Sequence, residues 1–296
     1  MKAGFVALVG RPNAGKSTLL NRLVGQKIAI VSDKPQTTRT RIVGVRNGDG
    51  GQMVFIDTPG IHRPLHRMNV RMVDVAVQSI GQADVVCAVA DATEAVGGGD
   101  QYFGALLSRA AHPVVLALNK IDCLAKPALL PLIDAWSRVA RFDDIVPVSA
   151  LTGENTDDLV EALLRHLPAG EALYPEDYLT DQPERAFAAE IVREKVLRHT
   201  REELPFSSTV LVDRFEDADE RGLLRLFCSI LVERESQKPI VIGRGGSMIK
   251  RIGTEAREDL ERFFGSRVFL DLRVKVRPGW REDPRVLDEM GLREDR

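Results

Sequence analysis

Along the first half of the chain, short and nearly unbroken apolar runs alternate with stretches of helical period. "FVALVG", "QMVFIDT", "DVVCAVAD", "PVVLALNK" and "DIVPVSA" are apolar on both faces of an extended chain. Strands buried on both sides of a parallel sheet require that pattern. "TRIVGVRNGDGGQMVFIDT" departs from it, because two strand patterns flank a Gly/Asp turn and predict an antiparallel hairpin. Helical patterns separate the later strands. Residues 1–168 are therefore expected to form an α/β unit, a doubly wound and mainly parallel sheet with one antiparallel strand.

The pattern then stops. "LPAGEALYPEDYLTDQPER" is rich in Pro, Asp and Glu and has no period, so 169–183 reads as a linker. Beyond it, "ERAFAAEIVREKVLRHTREEL" predicts an amphipathic helix stopped by Pro205. "STVLVDRFED" and "LLRLFCSILVERES" read as strands, and "KPIVIGRGG" and "SMIKRIGTEAREDLERFFG" as two helices broken at Gly243–Gly246. "RVFLDLRVKV" supplies a last strand. The order α-β-β-α-α-β makes 184–280 a smaller α+β domain, with 281–296 left as a C-terminal tail.

A length of 296 residues is enough for two cores, and 44% hydrophobic with 28% charged residues excludes wholesale disorder. The net charge of −2 argues against a chain that coats nucleic acid uniformly, while leaving room for local asymmetry. Three scattered cysteines without a C-x-x-C pair read as reduced thiols of a cytosolic protein, not as disulfides or a zinc site. The N-terminus lacks a secretory h-region, and no apolar stretch is long enough to span a membrane.

"GRPNAGKST", residues 10 to 18, falls between the first strand and a helix. Gly10, Gly15, Lys16 and Ser17 satisfy G-x-x-x-x-G-K-[ST], the loop whose backbone N–H groups cradle phosphates at a helix N-terminus. Arg11, Pro12, Asn13, Ala14 and Thr18 complete that loop. Lys16 would reach the β- and γ-phosphates, and the Ser17 hydroxyl would ligate Mg²⁺. "DTPG" follows another strand: Asp57 can hold the Mg²⁺ water shell, Gly60 can offer its N–H to a γ-phosphate, and Thr58, Pro59 and Ile61 flank them.

"NKID" places Asn119, Lys120, Ile121 and Asp122 at a strand's carboxyl end, where α/β sheets bind ligands. A carboxylate can accept from guanine N1–H and its exocyclic amine, which adenine lacks, so Asp122 selects GTP. "SAL", Ser149, Ala150 and Leu151, also follows a strand, and its backbone could cap guanine O6.

These blocks, with "QTTRTR" at 36–41, resemble the translation-factor-related GTPases, in the branch holding Era, the tRNA-modifying GTPase and the double-GTPase ribosome factor. "YPEDYLTDQPERAFAAEIVREKVL", "ELPFSSTV" and "IVIGRGGSMIKRIGTEAREDLE" are similar to the Era family, over nearly the whole chain. The resemblance implies a GTP-hydrolysing switch. It matches Thr38 to the switch threonine that completes the Mg²⁺ shell, with Thr37 beside it as the other choice. It also implies that Asn13, with Thr37, helps hold K⁺ where other GTPases use an arginine finger.

In the second domain, "GRGG" between helices is the G-x-x-G loop by which KH domains clamp a single-stranded backbone, here of the type II order. Ile242, Gly243, Arg244, Gly245, Gly246, Lys250 and Arg251 are the candidate RNA contacts. From Lys238 to Arg277 ten Lys/Arg face five Asp/Glu, a local net of +5. The Era resemblance implies that the RNA is the 3′ end of 16S ribosomal RNA and that the role is small ribosomal subunit assembly. It implies a monomer located in the cytoplasm, with peripheral contact on the inner face of the cell membrane left open.

Ile61 stands where many GTPases place a water-orienting glutamine, so turnover is expected to be slow. Lys16, Thr38, Gly60 and Asn13 remain as catalytic candidates, and His62 as a further one for the water. The alternatives are a non-hydrolysing, GTP-stabilised RNA scaffold and a GTPase of tRNA modification; the KH-like end and the absence of a C-terminal reactive cysteine disfavour the latter.

Overall fold

A computed structural model describes residues 1–34, 36–61, 66–220 and 222–293. They divide into two units, one ending at Asp181 and the other running from Gln182, with 66–68 grouped with the second. In chain order the first contains β1 (Lys2–Gly10), α1 (Lys16–Val24), β2 (Ile42–Gly48), β3 (Gly51–Asp57), α2 (Arg67–Gln82) and β4 (Val85–Asp91). It continues with α3 (Gly98–Leu107), β5 (Val114–Asn119), α4 (Leu129–Ser137), β6 (Asp144–Val148) and α5 (Thr156–His166).

The sheet order is β2-β3-β1-β4-β5-β6, with β2 antiparallel to β3 and every other pair parallel. The continuous apolar runs have the predicted cause. Val6 and Leu8 enter a core closed by Leu19 and Leu23 of α1 and Leu159 and Leu163 of α5, while Ala7 and Val9 enter one closed by Ala76 and Ile80 of α2, Phe103 of α3 and Trp136 of α4. Alternate side chains of one strand thus feed opposite layers. The carboxyl ends of β1, β3, β4 and β5 emerge at one edge, with Leu8 beside Asp57 and Asp91 beside Asn119.

The stretch read as a periodless linker is partly fastened to this unit. Leu179 O accepts from the Val45 amide at 2.9 Å, the Thr180 hydroxyl donates to Val43 O at 2.6 Å, and the Asn47 amide group donates to Glu176 O at 2.8 Å. Tyr174 and Tyr178, stacked with centroids 4.6 Å apart, lie over Val43, Val45, Val54 and Ile56. Low periodicity did not mean low order, because this segment is held mostly by backbone bonds and by two tyrosine rings.

The second unit comprises α6 (Glu184–His199), α7 (Leu204–Ser207), β7 (Ser208–Glu216), β8 (Leu223–Val232), α8 (Lys238–Ile242), α9 (Ser247–Phe264), β9 (Arg267–Val276) and α10 (Pro284–Glu289). β8 is central, antiparallel to β7 and parallel to β9. Ile191 of α6 and Ile252, Ala256 and Leu260 of α9 are buried, and Phe187 stacks on Phe263 at 3.9 Å.

Two sequence readings change here. The first helix ends at His199, where Thr200 turns extended, and Pro205 opens α7 instead of stopping α6. The expected tail is in part a packed element. Trp280, Val286, Leu287 and Leu292 are fully buried, and the Trp280 indole donates to Ser207 O at 3.0 Å.

Candidate functional site

The loop between β1 and α1 is shaped by contacts that only glycine permits. A Cβ on Gly10 would sit 2.2 Å from Val89 O, and one on Gly15, at φ +92°, would sit 2.2 Å from the Asn119 amide nitrogen. Asn119 in turn donates to Ala14 O and accepts from the Ala150 amide, both at 2.9 Å. One side chain therefore ties the phosphate loop, the "NKID" loop and the "SAL" loop together. Above the loop lies a cavity of about 350 Å³, bordered by Asn13, Lys16, Ser17, Thr38, Gly60 and Lys120. Pro12 and Thr18 line it too, and the Gly60 backbone packs on Pro12.

Lys16 is buried beneath this cavity and donates to Gly10 O at 3.2 Å and Arg11 O at 3.1 Å. Burial lowers the pKa of its ammonium, against the opposing pull of Asp57. Burial raises that of the Asp57 carboxyl, against Lys16 and the hydroxyls of Ser17 and Thr38. The Ser17 hydroxyl lies 2.7 Å from both Asp57 Oδ2 and the Thr38 hydroxyl, and Thr38 lies 3.3 Å from the same carboxylate oxygen. Among the described residues, none hydrogen-bonds the buried Asp57 Oδ1. Three hard oxygens plus an unsatisfied carboxylate oxygen are the donor set that Mg²⁺ takes. Of the two adjacent threonines, Thr38 lies beside these oxygens, while the Thr37 hydroxyl donates to Lys34 O at 2.6 Å.

At the other end, Ser149 donates to Asp122 at 2.6 Å, and this bond above all holds the Asp122 carboxyl below the usual carboxylate range. The Ser149 and Ala150 amides are engaged by Glu154 O and Asn119, and Arg22 binds the carbonyls of Ala150 and Leu151. The loop's rigidity is thus internal. Ile121 is buried in the core beside α3 and α4.

Three expected site residues turn their side chains elsewhere. Ile61 is buried in the α2–α4 core, and its amide donates to Gly10 O at 3.0 Å. A glutamine's role therefore cannot pass to it. Thr58 is buried and donates to Leu8 O at 2.8 Å. Arg11 leaves the cavity for α3, pairing with Glu94 at 3.1 Å and the buried Asp100 at 3.3 Å. Pro59 is buried beside Gly60, and His62 lies outside the described residues.

Sequence reasoning missed Gln36, which borders the cavity at φ +61°, and Asp91, which binds Lys120. The position of Asp91 at a strand's carboxyl end was the available signal.

In the second unit, Gly243 at φ +73° could not carry a side chain, since its Cβ would meet that of Met248 at 2.6 Å. Gly245 and Gly246 also have positive φ but face open space. The loop ends at the N-terminus of the 18-residue α9, whose amides point to it. Arg244, Lys250 and Arg251 are exposed around it, Ile240 is 55% exposed, and Ile242 is half-buried. Arg251 is partly neutralised by Glu255 at 3.1 Å, which also binds His199 at 2.8 Å. The arrangement presents a glycine-rich, positively bordered backbone loop, suited to phosphates of a single strand.

Residues 5–120 match the family described as 50S ribosome-binding GTPase, and residues 204–281 match the KH domain. GTPase Era of Syntrophus aciditrophicus is 47% identical over 293 residues, 99% of this chain and 96% of its own length. GTPase Era of Geotalea daltonii is 50% identical over 290 residues, 98% of this chain and 97% of its own. A solved structure of Era in complex with MgGDPNP and nucleotides 1506–1542 of 16S ribosomal RNA superimposes with a TM-score of 0.96 at 44% identity, covering 99% of this chain and 100% of that one. A single-residue variant of Aquifex aeolicus Era bound to GDP·AlF₄⁻ does so at 0.95 and 43% identity, with the same coverage. Identity near one half, sustained through both the phosphate-loop unit and the G-x-x-G unit, shows that the chain belongs to the Era family of GTPases.

Proposed function

We propose that this GTPase is a switch whose nucleotide state governs the presentation of its KH unit to the 3′ end of 16S ribosomal RNA during small-subunit assembly. One observation carries the reading. A single chain joins a phosphate-loop cavity backed by Ser17, Thr38 and Asp57 to a G-x-x-G loop at a helix N-terminus. The Era relative solved with MgGDPNP and 16S nucleotides supports the assignment of both ligands.

The residues divide the work. Backbone amides of the Gly10–Thr18 loop other than Pro12, with the Lys16 ammonium, receive the β- and γ-phosphates, and Asp122 reads the guanine edge. Ser17 and Thr38 would ligate Mg²⁺, and Asp57 would hold its water shell, as the convergence of their oxygens supports. Bound there, Mg²⁺ would offset charge building on the phosphate oxygens. Loss of the γ-phosphate removes what Thr38 and Gly60 hold, which frees the 36–41 segment. Asn13 donates to Asp33 O at 2.9 Å and keeps its amide oxygen as an acceptor, which suits a K⁺ ligand beside Thr37. Arg244, Lys250 and Arg251 supply positive charge along the RNA path.

Single-turnover hydrolysis tests the reading. The rate is expected on the order of 10⁻⁴ to 10⁻² per second, abolished in Lys16→Ala. K⁺ should exceed Na⁺ as activator, and Asn13→Ala should erase the difference; equal rates in both salts would remove K⁺. None of the described helices is long and apolar enough to cross a membrane. A monomer in the cytoplasm with peripheral membrane contact belongs to the same proposal, checked by sedimentation with and without anionic vesicles.

A further inference from the structure

Asp91 closes β4 in register with Asn119 of β5, and its side chain is 11% exposed. One carboxylate oxygen accepts from the Thr93 amide at 2.9 Å and its hydroxyl at 2.6 Å; the other accepts from the Lys120 ammonium. The next amide, of Ala92, donates to Asn119 O at 2.8 Å. The end of β4 is therefore fastened to the loop that carries Asn119 and Asp122.

Lys120 is an unusual residue to need fastening. It sits at φ +72°, a left-handed conformation that is costly for an L-residue, so its neighbours must impose it. Its side chain borders the phosphate-loop cavity. An unpaired lysine there would sweep many rotamers and lose that freedom on ordering, and its charge would compete with Lys16 for phosphate. Paired with Asp91, the ammonium is engaged and the residue is held at the border of the cavity, where its methylenes would suit the face of a flat base. Burial pushes the Asp91 carboxyl up, but the bonds from Lys120 and Thr93 outweigh it and hold the group below its ordinary range.

We propose that Asp91 is a positioning residue for the guanine nucleotide: by fixing Lys120 against the cavity wall in advance, it slows nucleotide departure. The proposal rests on the Asn119–Asp122 loop being the base reader. Pre-organisation predicts a change in residence time and KM, with little change in the chemical step.

Displacement of fluorescently labelled GDP from the full chain, followed by stopped flow, tests it. Asp91→Asn should raise the off-rate about tenfold and raise KM, with kcat at saturating GTP changing by less than about twofold. Lys120→Met, which leaves the Asp91–Thr93 turn intact, should raise the off-rate by a similar factor. Adding Asp91→Asn to Lys120→Met should then change it by less than about twofold. Thr93→Val, which spares the lysine pair, should stay within about twofold of wild type. An unchanged off-rate in Asp91→Asn or Lys120→Met, multiplicative effects in the double variant, or a Thr93→Val effect as large as that of Asp91→Asn overturns the proposal. Wild-type protein that fails to bind labelled GDP overturns the base-reading assignment as well, so the two failures are told apart.

Discussion

Asp122 keeps its charge because Ser149 donates to it at 2.6 Å and holds the carboxyl below the usual range. A depressed pKa leaves the group ionised at every pH above the ordinary carboxylate value of about 4. Guanine reading by Asp122 should therefore be the same at about pH 5.5 and about pH 8. Asp122→Asn removes two charge-assisted acceptors at about 1.5–3 kcal/mol each, so GTP affinity should fall at least about a hundredfold at both values. A titration showing less than about a threefold loss would reject the assignment. In the other unit, Gly246 at φ +78° has open space around its missing Cβ. Gly246→Asp should cost the fold only about 1 kcal/mol, because Asp visits the left-handed region tolerably, yet place a charge on the RNA path. Binding of single-stranded RNA should drop about tenfold or more while the melting curve moves by a few degrees. Normal binding by a normally melting variant would end the assignment of this loop. At this scale the sequence was informative about identity and blind to direction. The glycines, Lys16 and Asp122 were legible from spacing, because backbone approach and charge type leave few substitutes. That Arg11 turns to Asp100 and Ile61 to the core depends on what packs beside them, which spacing does not encode.

The elements were legible wherever burial on both faces or a regular period wrote itself into the chain, as in β1, β3, β4 and β5. α10 escaped because its six residues place only Val286 and Leu287 in the core, too few for a period. The segment over β2 and β3 escaped for another reason: most of its hydrogen bonds are made by its backbone. Gln52 receives much of it. Fully buried, it accepts from the Leu173 and Tyr174 amides at 2.7 and 2.9 Å and donates to Tyr174 O at 2.8 Å. Gln52→Leu keeps the volume and orphans those groups, each worth about 1–3 kcal/mol when left unsatisfied and buried. Stability should fall by at least about 2 kcal/mol, and residues 171–181 should become the first site of limited proteolysis. An unchanged denaturant midpoint with unchanged cleavage would show that Gln52 is dispensable there.

Over the whole molecule, each unit buries a core of its own, and each carries one candidate ligand site. A ligand that binds only the folded form adds about 2.7 kcal/mol at a hundred times its Kd. In calorimetry, guanine nucleotide with Mg²⁺ should raise the transition of the first unit, and single-stranded RNA that of the second. Equal shifts of both by either ligand would contradict separate sites. The strap over β2 and β3 also says where this architecture can be cut and spliced. A recombination joint at 168, where helical periodicity ends, would strip Tyr174 and Tyr178 from Val43, Val45, Val54 and Ile56, leaving a sticky apolar face on the nucleotide-binding cassette. A joint after Asp181 would carry that cover along. Fusion or gene shuffling that gives this GTPase a different RNA-binding module should therefore yield soluble chimeras only when the donor segment reaches that far.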